Sequence, residues 1–91
     1  MIRLNCFFQA KEGCLDEALA AAKALTEASL KQDGCIAYDV FTSATRPGIL
    51  LICETWHDLQ ALAAHSASEP FVRYAAVLND AGSMKIEQFS F

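Results

Sequence analysis

Gly48-Ile49-Leu50-Leu51-Ile52-Cys53-Glu54-Thr55-Trp56-His57-Asp58-Leu59-Gln60-Ala61-Leu62-Ala63-Ala64-His65-Ser66-Ala67-Ser68-Glu69-Pro70-Phe71 is the stretch on which the fold turns. Ile49 to Trp56 reads as a strongly apolar strand. Asp58 is a good helix N-cap, and Leu59, Leu62, Ala63 and Ser66 then fall along one side of a helix. That helix is expected to stop near Glu69-Pro70, because proline disfavours helical geometry in the residue before it and lacks the N–H a helix interior needs. The strand brings Trp56 and His57 to one end of a sheet, and the short helix presents His65. A reaction chamber is expected here first.

On the N-terminal side, Met1 to Gln9 alternates, with Ile2, Leu4, Cys6 and Phe8 on one phase and Arg3, Asn5, Phe7 and Gln9 on the other. Both phases carry bulky apolar residues, as in a strand covered on both sides. A turn around Gly13 leads into a long helix, Leu15 to Gln32, with a stripe of Leu15, Ala18, Leu19, Ala22, Leu25, Thr26 and Ser29. Ala20, Ala21, Ala24 and Ala28 lie away from that stripe. Asp16 and Glu17 in the first turn and Lys31 in the last suit the helix dipole, and Gly34 provides the stop. Cys35 to Thr42 is a strand, with Ile36, Tyr38, Val40 and Thr42 in phase. The polar Ser43–Gly48 segment, containing Pro47-Gly48, joins it to the next strand as a hairpin.

On the C-terminal side, Phe71 to Leu78 reads as a second helical segment after the Pro70 break. Asn79-Asp80-Ala81-Gly82 turns the chain, and Met84 to Phe91 is a last strand running to the terminus. The order is strand, helix, strand, strand, broken helix, strand. This βαββαβ arrangement predicts an α+β fold, a four-stranded antiparallel sheet with its helices on one face. The other face also carries apolar side chains and needs a cover. The same face of a second copy is the simplest one, so a homodimer is expected.

Composition sets the outer limits. Ninety-one residues suffice for one domain, 1–91, and the hydrophobic share of 54% against 20% charged leaves more apolar surface than so small a core absorbs. Net charge is −4 with no run of Lys or Arg, which argues against nucleic acid. The longest apolar run, Ile49 to Cys53, is far short of a membrane span, and Met1-Ile2-Arg3-Leu4 opens straight into strand-like sequence. Cys6, Cys14, Cys35 and Cys53 form no CxxC pair, and four free thiols fit a reducing compartment. A cytoplasmic protein without membrane partners is the expectation.

No phosphate loop, HExxH, GxSxG or pair of carboxylates at helical spacing is present. What remains is a set of single groups. His65 is either a base or donor just before the Pro70 break, or a surface residue of a short helix. Glu54, two residues before Trp56, either pairs with Arg3 or Lys85 or walls a pocket. Asn5 is either satisfied locally or faces a cavity. Arg73, Tyr74 and Tyr38 complete the polar candidates. Together they describe an aromatic, mostly apolar cavity suited to a flat organic molecule.

The succession Gly34-Cys35 … Tyr38, then Glu54-Thr55-Trp56, then Ala61-Leu62-Ala63-Ala64-His65 and Phe71, resembles the antibiotic biosynthesis monooxygenase superfamily, particularly its small quinol monooxygenase-like members. The resemblance runs from about Leu4 to Phe89. It implies a ferredoxin-like subunit that forms a dimeric α/β barrel. It further implies oxidation of a quinol or phenolic aromatic by dioxygen with no cofactor, neither flavin, haem nor metal. By position, His65 matches the histidine of the quinol-type members and is the expected catalytic base. Glu54 and Trp56 match a Glu-x-Trp strand motif, Asn5 matches a first-strand asparagine, and Tyr38, Phe71 and Tyr74 join them as substrate-binding candidates. The haem-degrading branch has a tryptophan at the position of His65 and a ligating histidine near Tyr74 or Ala75, where this chain has none, which argues against haem degradation. Some relatives instead isomerise or only bind small molecules, so a hydroxy-ketone isomerase and a non-catalytic binding dimer are the alternatives.

Overall fold

The computed structural model describes residues 1–91. The elements are β1 (Ile2–Ala10), α1 (Leu15–Ser29), β2 (Cys35–Thr42), β3 (Ile49–Trp56), α2 (Leu59–Ser66), α3 (Glu69–Ala81) and β4 (Gly82–Ser90). All neighbouring strands are antiparallel, in the order β2-β3-β1-β4. This is a small α+β ferredoxin-like fold, with β1 and β3 as the central strands. The alternation of β1 decides which face is covered. Ile2, Leu4, Cys6 and Phe8 are buried, and the core they share with Leu50, Ile52 and Trp56 of β3 is closed by Ala18, Ala22 and Leu25 of α1 and Leu78 and Ala81 of α3. No helix is long and apolar enough to cross a membrane.

The opposite face carries no helix. There Phe41, Leu51 and Phe7 lie side by side across β2, β3 and β1, and Phe7, Phe41 and Phe89 are all exposed. Arg3 donates from Nε to Thr55 Oγ1 (3.1 Å) on this face and stacks its guanidinium 5.3 Å from the Phe91 ring centre.

The elements depart from expectation in four places, each for a local reason. α1 ends at Ser29 rather than Gln32; the chain then tightens into turns closed by the N–H of Lys31 to Ala28 O and of Gln32 to Ser29 O, so Lys31 lies beyond the last turn. Ala21 is buried with the stripe, because alanine is small enough for α1 to pack on a wider arc. β2 carries a bulge. Cys35 pairs with Trp56 and Ala37 with Thr55, so Ile36 is the extra residue, leaves the phase of Tyr38 and Val40, and is exposed. Finally, the broken helix is two helices. α2 ends at Ser66, before the proline, and Pro70 stands in the first turn of α3, where its missing N–H costs nothing. α3 then runs through Asn79 and Asp80 to Ala81, where a turn was expected, and β4 starts directly at Gly82.

Candidate functional site

The helices do not fill the space above the sheet completely. A cavity of about 380 Å³ remains between β1, β2, β3 and β4 below and α1, α2 and α3 above. Most of its lining is apolar, including Leu4, Ile52, Leu62 and Phe71, and the ionisable side chains on it are Cys6, Tyr38, Glu54 and His65; it has no Lys or Arg. Ser66, Asn79 and Ile86 are its exposed lining residues, so it opens at the end of α2 and between α3 and β4.

Strand period and helix caps place the central groups. Glu54 and Trp56, two apart on β3, share the covered face with Tyr38, which pairs directly with Glu54 across β2. Asp58 caps α2 by accepting from Ala61 N–H (2.8 Å), and the two turns that follow carry His65 back over the sheet. Its imidazole is 2% exposed. It stacks on the Trp56 indole (centroids 4.4 Å apart, 35° between planes), meets the edge of Phe71 at 5.1 Å and lies 5.7 Å from the Tyr38 ring. His65 Nδ1 is 2.8 Å from Gln32 Oε1, and Nε2 is 4.0 Å from Glu54 Oε1.

Glu54 is buried and held by neighbours. The Trp56 indole N–H donates to its Oε1 at 2.8 Å, and the Cys6 thiol approaches Oε2 at 3.8 Å. Neither expected cation pairs with it, since Arg3 is engaged with Thr55 and Lys85 lies beside outward-facing Phe7. Burial raises the Glu54 pKa above the usual carboxylate range, and its polar neighbours Trp56, Cys6 and Tyr38 hold it partly back. Burial pushes His65 from 6.5 down to about 4, so the imidazole is neutral at pH 7. Burial, reinforced by the Glu54 charge, pushes the Cys6 thiol up to about 12 and raises the Tyr38 phenol further. Cys6 is therefore a thiol and not a thiolate nucleophile.

Of the residues singled out in the sequence, Tyr38, Glu54, His65 and Phe71 line the cavity together. Trp56 stands behind them, fully buried, as the surface on which His65 stacks and the donor that orients Glu54. Tyr74 is only partly buried on α3 and off the cavity wall, with the Arg73 guanidinium 5.7 Å from its ring centre. Asn5 lies on the open sheet face, where its Oδ1 accepts from the Cys53 thiol at 3.2 Å. His57 is exposed beside Asp58. Gln32, Ser68 and Cys6 were not singled out as site residues. Gln32 meets His65 across 33 residues of sequence, a pairing no local spacing reveals, and Cys6 has only its in-phase position beside Leu4 as a signal. No three His, Cys, Asp or Glu side chains converge as a metal-ligand set.

A ferredoxin-like subunit with a mostly apolar cavity open between its sheet and helices defines a class of fold rather than one activity. Within that class the chain belongs to the antibiotic biosynthesis monooxygenase family, whose model matches residues 1–77. It is similar to a conserved protein of unknown function from Bacteroides thetaiotaomicron, reported as a possible oxidoreductase. The two are 46% identical over 99% of this chain and 96% of that one, with a TM-score of 0.96. A conserved protein from Methanosarcina mazei shares 30% identity over 97% of this chain and 89% of its own (TM-score 0.91). A solved antibiotic biosynthesis monooxygenase shares 26% over 100% of this chain and 98% of its own (TM-score 0.92). No curated protein matches the chain.

Proposed function

We propose that this protein is a homodimeric, cofactor-independent monooxygenase that oxidises a neutral quinol or phenolic aromatic with dioxygen, using His65 as the base. The observation that carries this reading is a neutral, buried imidazole stacked on Trp56 at the wall of an apolar, aromatic-lined cavity. The cavity volume of about 380 Å³ is at the small end of the ~300–1,000 Å³ typical of small-molecule sites. A lining with a carboxyl group and no Lys or Arg disfavours substrates that arrive as carboxylates or phosphates. A hydroxylated one- or two-ring compound fits both constraints.

In the proposed reaction His65 takes a hydroxyl proton, leaving an electron-rich phenolate in a dry site. The low pKa of His65 belongs to the empty cavity. Once the phenolate forms beside it, the imidazolium gains a counter-charge that offsets the burial penalty. The phenolate passes one electron to dioxygen, and the resulting radical pair combines to form a carbon–oxygen bond. Loss of the ring hydrogen and cleavage of the O–O bond then give the oxidised product and water. One oxygen atom enters the product, the other leaves as water with two substrate hydrogens, and the substrate supplies the electrons, so no external reductant is consumed. Tyr38, Phe71 and Glu54 orient the ring. A second copy over Phe7, Phe41 and Phe89 would cover the open sheet face and complete a dimeric barrel.

A panel of quinols and catechols in ¹⁸O₂, with an oxygen electrode, tests the proposal. Stoichiometric oxygen uptake with one labelled atom in the product supports it. Proton exchange in deuterated water without oxygen uptake would replace it with isomerisation, and neither response would leave a binding protein.

A further inference from the structure

Hydrogen-bond directions around His65 can be fixed from the one group that has no choice. The backbone carbonyl of His65 can only accept, and Ser68 Oγ is 2.6 Å from it, so the hydroxyl hydrogen of Ser68 is spent there. Ser68 Oγ can then meet the Gln32 side chain only as an acceptor. The Gln32 NH₂ group therefore faces Ser68, at 3.0 Å, and its carbonyl oxygen faces His65 Nδ1, at 2.8 Å. Turning the amide over would set two oxygens against Ser68 with one hydrogen between them, and would abandon the contact to the His65 carbonyl.

An amide oxygen also only accepts, so Nδ1 carries the imidazole hydrogen. In a neutral ring Nε2 then holds the free lone pair, on the side where Glu54 Oε1 lies 4.0 Å away, already accepting from the Trp56 indole. We propose that Gln32 and Ser68 are positioning residues that hold His65 in its Nδ1–H tautomer, with Nε2 as the basic nitrogen presented to the substrate. This rests on the reading of His65 as the base. The relay ties three elements together: Gln32 follows α1, His65 lies in the last turn of α2, and Ser68 caps α3. The other ionisable groups around the imidazole are Glu54 on β3, Tyr38 on β2 and Cys6 on β1. None of them reaches Nδ1 with a hydrogen bond.

The tautomer is measurable without any substrate. Long-range ¹H–¹⁵N correlation spectra of the full chain labelled at histidine nitrogen, at pH 7, distinguish a protonated from an unprotonated ring nitrogen. The wild type is expected to show a protonated Nδ1 and a bare Nε2 for His65, with His57→Gln identifying its signals. Gln32→Met and Ser68→Ala are expected to give a mixture of tautomers. Ser68→Thr, which keeps the hydroxyl and the cap, is expected to restore the wild-type pattern. Gln32→Glu keeps an acceptor at Nδ1 but adds charge, so it should retain the tautomer and move the titration midpoint of His65 upward. With a substrate in hand, Gln32→Met should lower kcat at least about tenfold, as expected for a base held in the wrong tautomer. Hydrogen on Nε2 in the wild type, or an unchanged pattern in both Gln32→Met and Ser68→Ala, overturns the inference. If His65→Gln keeps full turnover while the spectra come out as expected, the base assignment fails and not the tautomer, so the two failures are distinct.

Discussion

Lowering the pH should destabilise this protein through His65, and the size of the effect follows from its burial. In the folded chain the imidazole is 2% exposed with its pKa near 4, against 6.5 for the free side chain. Between those values the unfolded chain takes up a proton that the folded chain refuses, so stability falls as the pH falls. The contribution is fully present above about pH 6.5 and is lost progressively down to about pH 4. At about 1.4 kcal/mol per pKa unit, the difference is worth roughly 3 kcal/mol, a large share of the stability of a small domain. Glu54 acts in the opposite sense, because burial raises its pKa and so favours the folded state as it protonates. His65→Leu removes the histidine titration and keeps Glu54, so the difference between the two proteins isolates His65. Urea unfolding from pH 4 to pH 7.5, at one protein concentration, is the assay. Wild type should lose about 3 kcal/mol more than His65→Leu over that range. Equal pH dependence in the two would refute the argument that burial, rather than pairing with Glu54, governs this imidazole.

Other perturbations test the supporting structure. Trp56→Phe removes the indole donor to buried Glu54 Oε1 and leaves a gap behind His65; a loss of about 2–4 kcal/mol in urea unfolding is expected, with a further rise in the Glu54 pKa. Gly34 has φ +80° and a Cβ there would run into the Ala61 side chain, so Gly34→Ala should cost about 2 kcal/mol or more, whereas Gly13→Ala, with a similar φ but open space around it, should cost clearly less. In sedimentation at micromolar concentration the protein should run at about twice its 9.9 kDa chain mass, and Phe7→Glu or Phe41→Glu on the open sheet face should return it to a monomer with an unchanged fold.

How much of this was legible in the sequence depended on the distance over which each signal acts. The strand alternation in β1, the Asp58 cap and the polar hairpin loop are local patterns, and together they give the element order and the covered face. Gly34, expected to stop α1, lies in the turn before β2, since the helix already ends at Ser29 with Leu30 as its C-cap. The β2 bulge was invisible, because a side-chain period of two assumes an unbroken ladder and the register that breaks it is set by β3. Pro70 was legible as a break and misleading as a stop, since a proline in a helix's first turn leaves the same trace as one that ends a helix. His65 and Glu54 stood out as isolated polar groups in apolar stretches. Their closeness did not, nor did the Gln32–Ser68 relay, because these contacts join residues brought together only by the fold. The unperturbed His65 pKa of about 6.5 expected from the side chain alone gives way to about 4 for the same reason, as burial is a tertiary property.

The central claim, that His65 is the base, is tested most directly by oxygen uptake with His65→Gln. Glutamine fills much of the imidazole's volume and can still hydrogen-bond, but takes no proton at neutral pH. With a quinol found by the oxygen screen, kcat/KM should fall by about 10²- to 10⁴-fold, equivalent to roughly 3–5 kcal/mol of barrier. His57→Gln, at the exposed histidine beside Asp58, should remain at the wild-type rate. A His65→Gln protein that keeps its helical spectrum and its dimer, and turns over at the wild-type rate, would contradict the account.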